Sequence, residues 1–330
     1  MRCLVTSARH YDREFLDAAN AGRHDLVFEE TSLSARTALI AQGFPAVCPF
    51  VDDQLDDEVL HTLARLGTKL LVLRSTGYNH VQIPTAEQLG ITVMRVRDYS
   101  PYAVAEFALS LMLCLNRHVH RAYNRVRQGN LLLDGLLGFD MYGKAVGIVG
   151  TGKIGTALAR ILHGMGCSVL GCDVLRNPEC ETLGVRYTSL DELLSQSQII
   201  SLHLPLLPET RHIINAERLA KIRPGALLIN TSRGGLVDTP ALIAALKTRH
   251  LGGVGLDVYE EEADLYFRDH SDDVIDDDTF ERLLTFPNVI VTGHQAFFTR
   301  EALQTIAATT IRNLTDYSEG RSSENEVRSK

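Results

Sequence analysis

The sequence has no tryptophan, and aromatic residues make up only 6% of its 330 positions. It has no run of basic residues, and its net charge is −8, so the electrostatic signature of a protein that binds nucleic acid or an acidic membrane is missing. The most apolar helical pattern, at 103–115, contains Glu106 and is too short to cross a bilayer. We therefore expect neither a nucleic-acid partner nor a membrane partner.

The six cysteines form no C-x-x-C pair. Most of them lie in apolar strand or helix patterns, so we interpret them as small buried hydrophobic residues in a reducing compartment. A strand pattern begins at Cys3 without a preceding signal-peptide pattern, and we therefore expect a cytoplasmic protein. The acidic run at 272–278 lacks the glycine and the final glutamate of a calcium loop, so no metal site is expected.

A glycine pattern, G-x-G-x-x-G, is formed by Gly150, Gly152 and Gly155 between an apolar run at 145–149 and a helical pattern at 153–162. A strand that enters a helix through this pattern places a pyrophosphate on the free N–H groups of the helix N-terminus. The first glycine permits the tight turn, the second lets the backbone approach the phosphates, and the third lets the helix pack on the sheet. The pattern predicts a dinucleotide site.

Asp173 ends the next strand pattern, about 20 positions after the glycines. An acid at this position accepts hydrogen bonds from the adenosine ribose and repels a 2′-phosphate, so we predict NAD rather than NADP. Arg176 lies three residues later. It could weaken that preference, or it could be a solvated surface charge.

The chain is long enough for two domains. Strand patterns at 3–6, 46–50, 69–74 and 91–96 alternate with helical patterns, which indicates a complete α/β unit with a mostly parallel sheet before the glycines. A helical pattern at 301–314 is expected to return to this unit, and 318–330 is expected to be a frayed tail. We predict a substrate domain at 1–100 plus 300–330 and a Rossmann-type NAD-binding domain at 101–299.

A long helix is predicted from Tyr102 to about Gln128, because Pro101 occupies its first turn and apolar residues follow at helical spacing. The apolar stretch at 131–139 follows it. That stretch would suit a subunit interface or packing within its own chain, and the residues leave both interpretations open.

Three strand patterns after the glycines end in reactive side chains, which are Arg233, Asp257 and His294. Ligands of open α/β sheets bind beyond the carboxyl ends of the strands. Hydride transfer from an alcohol needs a base for the hydroxyl proton, and an imidazole, whose pKa is ordinarily near 6.5, suits that role. A carboxylate can fix the imidazole tautomer, and an arginine can pair with a substrate carboxylate. The combination predicts oxidation of a hydroxy acid, with Glu260, Glu261 and Glu262 as candidates for the carboxylate.

With these residues in place, the chain from 7 to about 314 resembles the D-isomer-specific 2-hydroxyacid dehydrogenases, and within them the bacterial fermentative lactate branch. The motifs are Leu-Arg-Ser-Thr-Gly-Tyr-Asn at 73–79, Asn-Thr-Ser-Arg-Gly-Gly at 230–235, Asp-Val-Tyr-Glu at 257–260 and Gly-His-Gln-Ala-Phe at 293–297. The resemblance implies two α/β domains, each a mostly parallel sheet with flanking helices, with the Rossmann-type domain inserted into a flavodoxin-like substrate domain. It also implies an NAD-dependent D-lactate dehydrogenase that converts pyruvate to D-lactate.

The resemblance assigns roles to individual residues. His294 would be the acid/base, Glu262 its carboxylate partner, Arg233 the substrate clamp and Asp257 a supporting acid. The implied substrate contacts are the backbone at Thr76 and Gly77, the side chains of Tyr99 and Phe297, and Arg9 nearby. The implied cofactor contacts are Gly150, Thr151, Gly152, Lys153, Ile154, Gly155, Asp173, His203, Thr231, Ser232, Arg233, Asp257 and His294.

The loop at 75–82 departs from the usual side chains of the family at its substrate pocket, so the preferred chain length stays open. Larger 2-keto acids, such as 2-ketoisocaproate and phenylpyruvate, are one alternative. A binding protein that senses dinucleotides, as corepressors of this fold do, is an alternative of another class, although basic or low-complexity extensions are missing. The resemblance further implies a homodimer or homotetramer built on the cofactor domains.

Overall fold

Two separate sheets divide the chain into two units. The computed structural model describes residues 1–262 and 265–329. Unit 1 consists of Met1–Ser100 and Phe298–Lys330, and unit 2 consists of Pro101–Phe297. The second boundary lies between Phe297 and Phe298, slightly before the expected position after 299.

Unit 1 contains a six-stranded sheet in the order β13-β5-β4-β3-β1-β2, in which β1 to β5 are parallel. This order is flavodoxin-like, as expected. The strands are β1 (Arg2–Val5), β2 (Asp25–Phe28), β3 (Ala46–Cys48), β4 (Leu70–Val72), β5 (Thr92–Met94) and β13 (Glu326–Val327). The helices are α1 (His10–Asn20), α2 (Asp57–Arg65), α3 (Ile83–Gln88) and α12 (Arg300–Ser318), with a short 3-10 helix at Ala38–Ala41.

The central strands of unit 1 are buried on both faces, which explains why they read as continuous apolar runs. On one face, Leu4, Val47 and Leu71 pack in the same cluster as Leu60 and Leu63 of α2. On the other face, the cluster that includes Val5 and Val72 also takes in Leu16 of α1 and residues of α12. The predicted return of the last helix to the first unit therefore corresponds to a covered sheet face.

The expectation of a frayed tail at 318–330 was wrong. Val327 is buried, and β13 pairs antiparallel with β5 through Glu326↔Met94 and Val327↔Val93. A strand of two residues is too short to show a period in the sequence, and its pairing partner lies far away in the chain. The strand β2, at the edge of the sheet, was also not predicted from the sequence.

Unit 2 contains a seven-stranded parallel sheet in the order β12-β11-β10-β9-β6-β7-β8. Its strands are β6 (Ala145–Val149), β7 (Ser168–Cys172), β8 (Arg186–Tyr187), β9 (Ile199–Leu202), β10 (Leu227–Asn230), β11 (Gly253–Leu256) and β12 (Val289–Val291). Its helices are α4 (Pro101–Asn116), α5 (Val119–Arg127), α6 (Lys153–Gly164), α7 (Pro178–Thr182), α8 (Leu190–Gln196), α9 (Ala216–Lys221), α10 (Thr239–Lys247) and α11 (Asp278–Leu284), with a 3-10 turn at Gly234–Leu236. The strand order reverses between β9 and β6, which is where ligands bind in sheets of this kind.

The single helix predicted from Tyr102 to about Gln128 is broken into α4 and α5. His118 has a left-handed backbone with φ of 50°. Just before it, the side chain of Asn116 accepts a hydrogen bond from Phe139 N at 2.9 Å and donates one to Phe139 O at 2.7 Å. This contact across 23 residues fixes the end of α4, and apolar periodicity carries no information about it.

Most leucines of the apolar stretch after α5 are exposed, although Phe139 at its end packs against the core of unit 2. Leu131, Leu133 and Leu137 are 75%, 83% and 92% exposed. Of the two interpretations of this stretch, packing inside its own chain therefore does not hold for these leucines. No helix within 1–262 and 265–329 combines the length and the apolar character that a bilayer span needs.

Candidate active site

Three neighbouring strands of unit 2 bring the predicted reactive residues to one edge of the sheet. Because β10 pairs with β11 and β11 with β12, the segments that carry Arg233, Asp257 and His294 leave the sheet side by side. The backbone bonds continue past the strands, since Asp257 N donates to Asn230 O at 2.9 Å and His294 N donates to Asp257 O at 2.8 Å. The rule for strand ends therefore placed these residues correctly.

The imidazole of His294 pairs with one of the three glutamates. His294 Nδ1 lies 3.0 Å from Glu262 Oε1, and Glu262 Oε2 accepts a hydrogen bond from Tyr259 N at 3.0 Å. An ionised carboxylate can only accept, so Nδ1 carries the proton and Nε2 remains available for proton exchange. The two side chains are 22% and 24% exposed, which leaves a substrate access to the ring.

Glu260 has a different set of partners. Its Oε1 accepts hydrogen bonds from His212 Nε2 at 2.6 Å and Arg211 Nη2 at 3.2 Å, and its Oε2 accepts one from Thr239 Oγ1 at 3.3 Å. The structure thus distinguishes Glu262 from Glu260 by their contacts, which the residues alone had not done.

Asp257 is fully buried and serves the loop that carries His294. Its Oδ1 accepts hydrogen bonds from Thr292 Oγ1 at 2.6 Å and Gln295 N at 2.9 Å, and its Oδ2 accepts one from Ala296 N at 2.7 Å. Burial raises the pKa of the Asp257 carboxyl above its ordinary value, while these hydrogen bonds and the nearby His294 lower it. The carboxylate therefore anchors the loop from inside, which fits the supporting position expected of it.

The backbone after β10 fixes the position of Arg233. Asn230 Nδ2 donates to Arg233 O at 2.8 Å, and Asn230 Oδ1 accepts from Ser232 N at 3.1 Å. A Cβ atom at Gly234 would lie 2.0 Å from the carbonyl carbon of Tyr259, so only glycine allows this close approach. The turn that carries Arg233 is therefore pressed against the segment that leads to Glu262.

The glycine loop has the geometry that a dinucleotide needs. Gly150 has φ of 97°, and a Cβ there would lie 2.5 Å from His203 O, while a Cβ at Gly155 would lie 2.0 Å from Gly150 O. By contrast, a Cβ at Gly152 would meet no atom within 4 Å, so the backbone faces open space at the start of α6. Lys153 and Ile154 lie in the first turn of that helix, and a helix N-terminus favours a bound pyrophosphate.

Polar atoms at the neighbouring strand ends also fit the cofactor. Asp173 follows β7 directly and accepts hydrogen bonds at Oδ2 from Thr151 N at 2.6 Å and Thr151 Oγ1 at 3.2 Å. Within the described part of the chain, His203 Nδ1 and Thr231 Oγ1 are buried and have no hydrogen-bond partner. Burial lowers the pKa of His203 to about 4, so its ring is neutral at physiological pH. Polar groups of a bound NAD would satisfy these atoms.

The predicted substrate residues of unit 1 lie after its own strands. Arg74 is buried next to the loop that carries Thr76 and Gly77, and its guanidinium donates to Asp12 Oδ1 at 3.1 Å, Cys48 O at 2.9 Å and Thr6 O at 2.9 Å. Within the described residues, the Thr76 Oγ1 atom is buried and has no hydrogen-bond partner. Sequence reasoning missed Arg74 and Asp12, because a buried ion pair across 62 residues leaves no local pattern.

The remaining predicted substrate residues fall in both units. Arg9 and Tyr99 belong to unit 1, and Phe297 is the last residue of unit 2. Arg9 precedes α1, and its N–H donates to Asp12 Oδ2 at 2.9 Å. The carboxylate of Asp12 therefore links Arg9 to the buried Arg74.

A parallel sheet with a glycine loop, an acid at the end of the next strand and a His–Glu pair at adjacent strand ends defines a dinucleotide-dependent oxidoreductase. Residues 109–296 match the family model "D-isomer specific 2-hydroxyacid dehydrogenase, NAD binding domain". The chain therefore belongs to the D-isomer-specific 2-hydroxyacid dehydrogenase family and uses NAD. This confirms the resemblance, the cofactor and the α/β fold that the motifs predicted.

Similar proteins cover nearly the whole chain. 2-Hydroxyacid dehydrogenase A of Aspergillus oryzae is 50% identical over 96% of this chain and 92% of its own length. D-lactate dehydrogenase of Escherichia coli is 45% identical over 99% of this chain and 100% of its own. The solved structure of the pyruvate reductase of Chlamydomonas reinhardtii has a TM-score of 0.94 and 45% identity, and the match covers 98% of each chain.

Proposed function

We propose that this chain is an NAD-dependent D-lactate dehydrogenase that reduces pyruvate to D-lactate. The observation that carries the proposal is the 3.0 Å pairing of His294 Nδ1 with Glu262, one strand away from Asp257 and two from Arg233, in an NAD-binding domain. The similar E. coli protein is a D-lactate dehydrogenase, and the similar Chlamydomonas protein is a pyruvate reductase.

Each residue of this edge has a role in reduction. When bound, NADH supplies the hydride. His294 Nε2 gives a proton to the carbonyl oxygen of the keto acid, and Glu262 stabilises the charge of the imidazolium before transfer. The guanidinium of Arg233 pairs with the substrate carboxylate and polarises the carbonyl as charge develops on its oxygen. Asp257 keeps the His294 loop in place.

The cofactor contacts follow from the same unit. The glycine loop from Gly150 to Gly155 takes the pyrophosphate at the start of α6, and Asp173 takes the adenosine ribose. His203 and Thr231 offer their buried polar atoms to the cofactor, and Ser232 lies beside Thr231. This assignment is supported by the missing Cβ contacts of Gly152 and by the missing partners of His203 Nδ1 and Thr231 Oγ1 within the described residues.

Unit 1 carries further residues that we assign to substrate binding. We assign the substrate carboxylate to the backbone of Thr76 and Gly77, and the buried Thr76 Oγ1 supports this because it needs a polar partner. Tyr99 and Phe297 would border the small methyl group of pyruvate, and Arg9 would add a positive charge.

The assembly we propose is a homodimer, or a tetramer made of dimers, through the apolar stretch of unit 2. Leu131, Leu132, Leu133 and Leu137 are exposed, and contiguous apolar surface of this kind is typical of subunit interfaces. We also place the enzyme in the cytoplasm, since all six cysteines are free thiols. Light scattering that compares the molar mass of L133D/L137D with that of the wild type tests this interface. We expect the variant to dissociate.

An NADH oxidation assay across a panel of 2-keto acids tests the activity. We expect NADH absorbance to fall with pyruvate, and the product to be oxidised by a D-specific but not by an L-specific lactate dehydrogenase. His294→Ala should abolish turnover while NADH still binds. A higher kcat/KM for phenylpyruvate or 2-ketoisocaproate would favour the dehydrogenase of larger keto acids. Binding of NADH without reduction of any keto acid would favour the dinucleotide-sensing protein.

A further inference from the structure

Tyr187 is connected to the ribose-binding acid by a chain of hydrogen bonds. It lies on β8 opposite Gly171 of β7, and its hydroxyl donates to Thr151 Oγ1 at 2.8 Å. Thr151 Oγ1 in turn donates to Asp173 Oδ2 at 3.2 Å. Because Thr151 accepts from the tyrosine, its own proton is directed to the carboxylate, and hydrogen bonds in such a chain strengthen one another. No local sequence pattern predicts this link.

The tyrosine is itself held in place. Asn177 N donates to the Tyr187 hydroxyl oxygen at 2.8 Å, and Asn177 Nδ2 donates to Thr151 O at 3.0 Å. Burial raises the pKa of Tyr187 above its ordinary value, so the hydroxyl stays protonated and remains a donor. The segment after β7 is therefore tied to the glycine loop through one tyrosine and one asparagine.

The chain of bonds divides the two oxygens of Asp173. Oδ2 accepts two hydrogen bonds from Thr151, at 2.6 Å from N and 3.2 Å from Oγ1. Oδ1 accepts a longer one, 3.4 Å, from Leu175 N. With Oδ2 engaged by the glycine loop, Oδ1 is the oxygen that can accept from ribose hydroxyls. The carboxylate is also prevented from rotating away from an approaching phosphate.

The ring of Tyr187 contacts Arg176, the cation that could otherwise bind the 2′-phosphate of NADP. The Arg176 guanidinium lies 5.7 Å from the ring centroid, and its Nη1 lies 3.8 Å from Glu181 Oε1. The face of an aromatic ring attracts such a cation. Both contacts lie on the side of β8 and α7, and 70% of the Arg176 side chain is exposed.

We propose that Tyr187 is a positioning residue that sets the preference for NAD over NADP, through Thr151 and Asp173 on one side and through Arg176 on the other. The proposal rests on the proposed cofactor site. A fixed Asp173 repels a 2′-phosphate, and a restrained Arg176 does not compensate for it. Loss of the hydroxyl frees the carboxylate, and loss of the ring also frees the arginine.

Titration of the intrinsic fluorescence of NADH and NADPH tests the proposal by binding alone. The chain contains no tryptophan, so the nucleotide signal is read without tryptophan emission. Tyr187→Phe removes one hydrogen bond and keeps the ring, so we expect NADH affinity to fall about threefold to tenfold while NADPH affinity falls less or rises. Tyr187→Leu should reduce the preference for NADH further, and Tyr187→Leu with Arg176→Gln should recover part of it. Tyr142→Phe, at a largely exposed tyrosine of the same unit, should leave both affinities unchanged.

A double-mutant cycle tests the connection itself. Thr151→Val keeps the shape of the side chain and removes the hydroxyl, so it should reproduce the change in preference, and Tyr187→Phe should add little in that background. Equal losses of NADH and NADPH affinity in Tyr187→Phe, or fully additive effects in the cycle, would overturn the role of Tyr187 alone. A wild-type chain that binds neither nucleotide would instead overturn the proposed function, and the inference with it.

Discussion

Replacement of Asp257 by asparagine should weaken both the fold of unit 2 and the site. The carboxylate accepts hydrogen bonds from Thr292 Oγ1, Gln295 N and Ala296 N in a fully buried position. An amide has one oxygen and one NH₂ group, so either orientation turns an N–H toward at least one backbone or hydroxyl donor. The loop that carries His294 then loses part of its internal support.

The size of the effect follows from these contacts. A buried donor left without an acceptor costs about 1–3 kcal/mol, and the charge-assisted bonds that remain become ordinary ones. The raised pKa of Asp257 shows that burial already penalises its charge, so its removal offsets part of the loss. We expect the free energy of unfolding to fall by about 2–4 kcal/mol. A shift of about 1 Å at His294 would lower kcat/KM for pyruvate about 100-fold.

Urea unfolding and steady-state kinetics of Asp257→Asn measure the two effects. Thr292→Val is the matched control, since it removes one of the three donors and leaves the carboxylate, and we expect about a third to a half of the stability loss. If Asp257→Asn unfolds and turns over pyruvate like the wild type, the carboxylate does not anchor the loop, and this account of Asp257 is refuted.

Three further variants probe other contacts. Glu262→Gln keeps a hydrogen-bond acceptor for His294 but removes the charge, so kcat should fall about 100-fold with a smaller change in KM, and an unchanged kcat would contradict the pairing. Burial lowers the pKa of His203 to about 4 in the folded state, while in the unfolded state it is near 6.5. Below pH 6.5 the unfolded state therefore binds a proton that the folded state does not, and the free energy of unfolding should fall by up to about 3 kcal/mol as pH drops from about 6.5 to about 4. Urea unfolding of His203→Asn at several pH values should show a weaker dependence of the unfolding free energy on pH. The same dependence as in the wild type would contradict this assignment to His203. Arg74→Met removes the guanidinium partner of the buried Asp12 carboxylate, which still accepts a hydrogen bond from Arg9 N. The free energy of unfolding of unit 1 should fall by about 3–5 kcal/mol, and a calorimetric midpoint like that of the wild type would rule this out.

The sequence predicted those parts of the site that depend on local patterns. The turn and the helix packing require Gly150 and Gly155, and Gly152 leaves open space for a phosphate, so a local pattern is enough to predict this part of the site. Arg233 and His294 were predicted because one topological rule places strand ends together, and the structure does place both after neighbouring strands. Asp173 was predicted from its distance to the glycines.

Contacts between distant segments were not accessible in the same way. The choice of Glu262 over Glu260 needed a resemblance at first, and the structure separates them by contacts with His294 and with Arg211 and His212. The break before α5 depends on Asn116, which bonds a residue 23 positions later. Apolar periodicity does not predict such contacts, because it reflects whether a residue is buried and not which residue it contacts.

The short strand β13 has a practical consequence for handling the protein. It covers the outer side of β5, where the N–H and C=O groups of Thr92 to Met94 would otherwise be free to pair with another chain. Truncation of the polypeptide after about residue 320 would expose β5 as an unpaired edge strand and promote aggregation. Affinity tags are therefore better attached at the N-terminus, where they leave the pairing of β13 with β5 undisturbed.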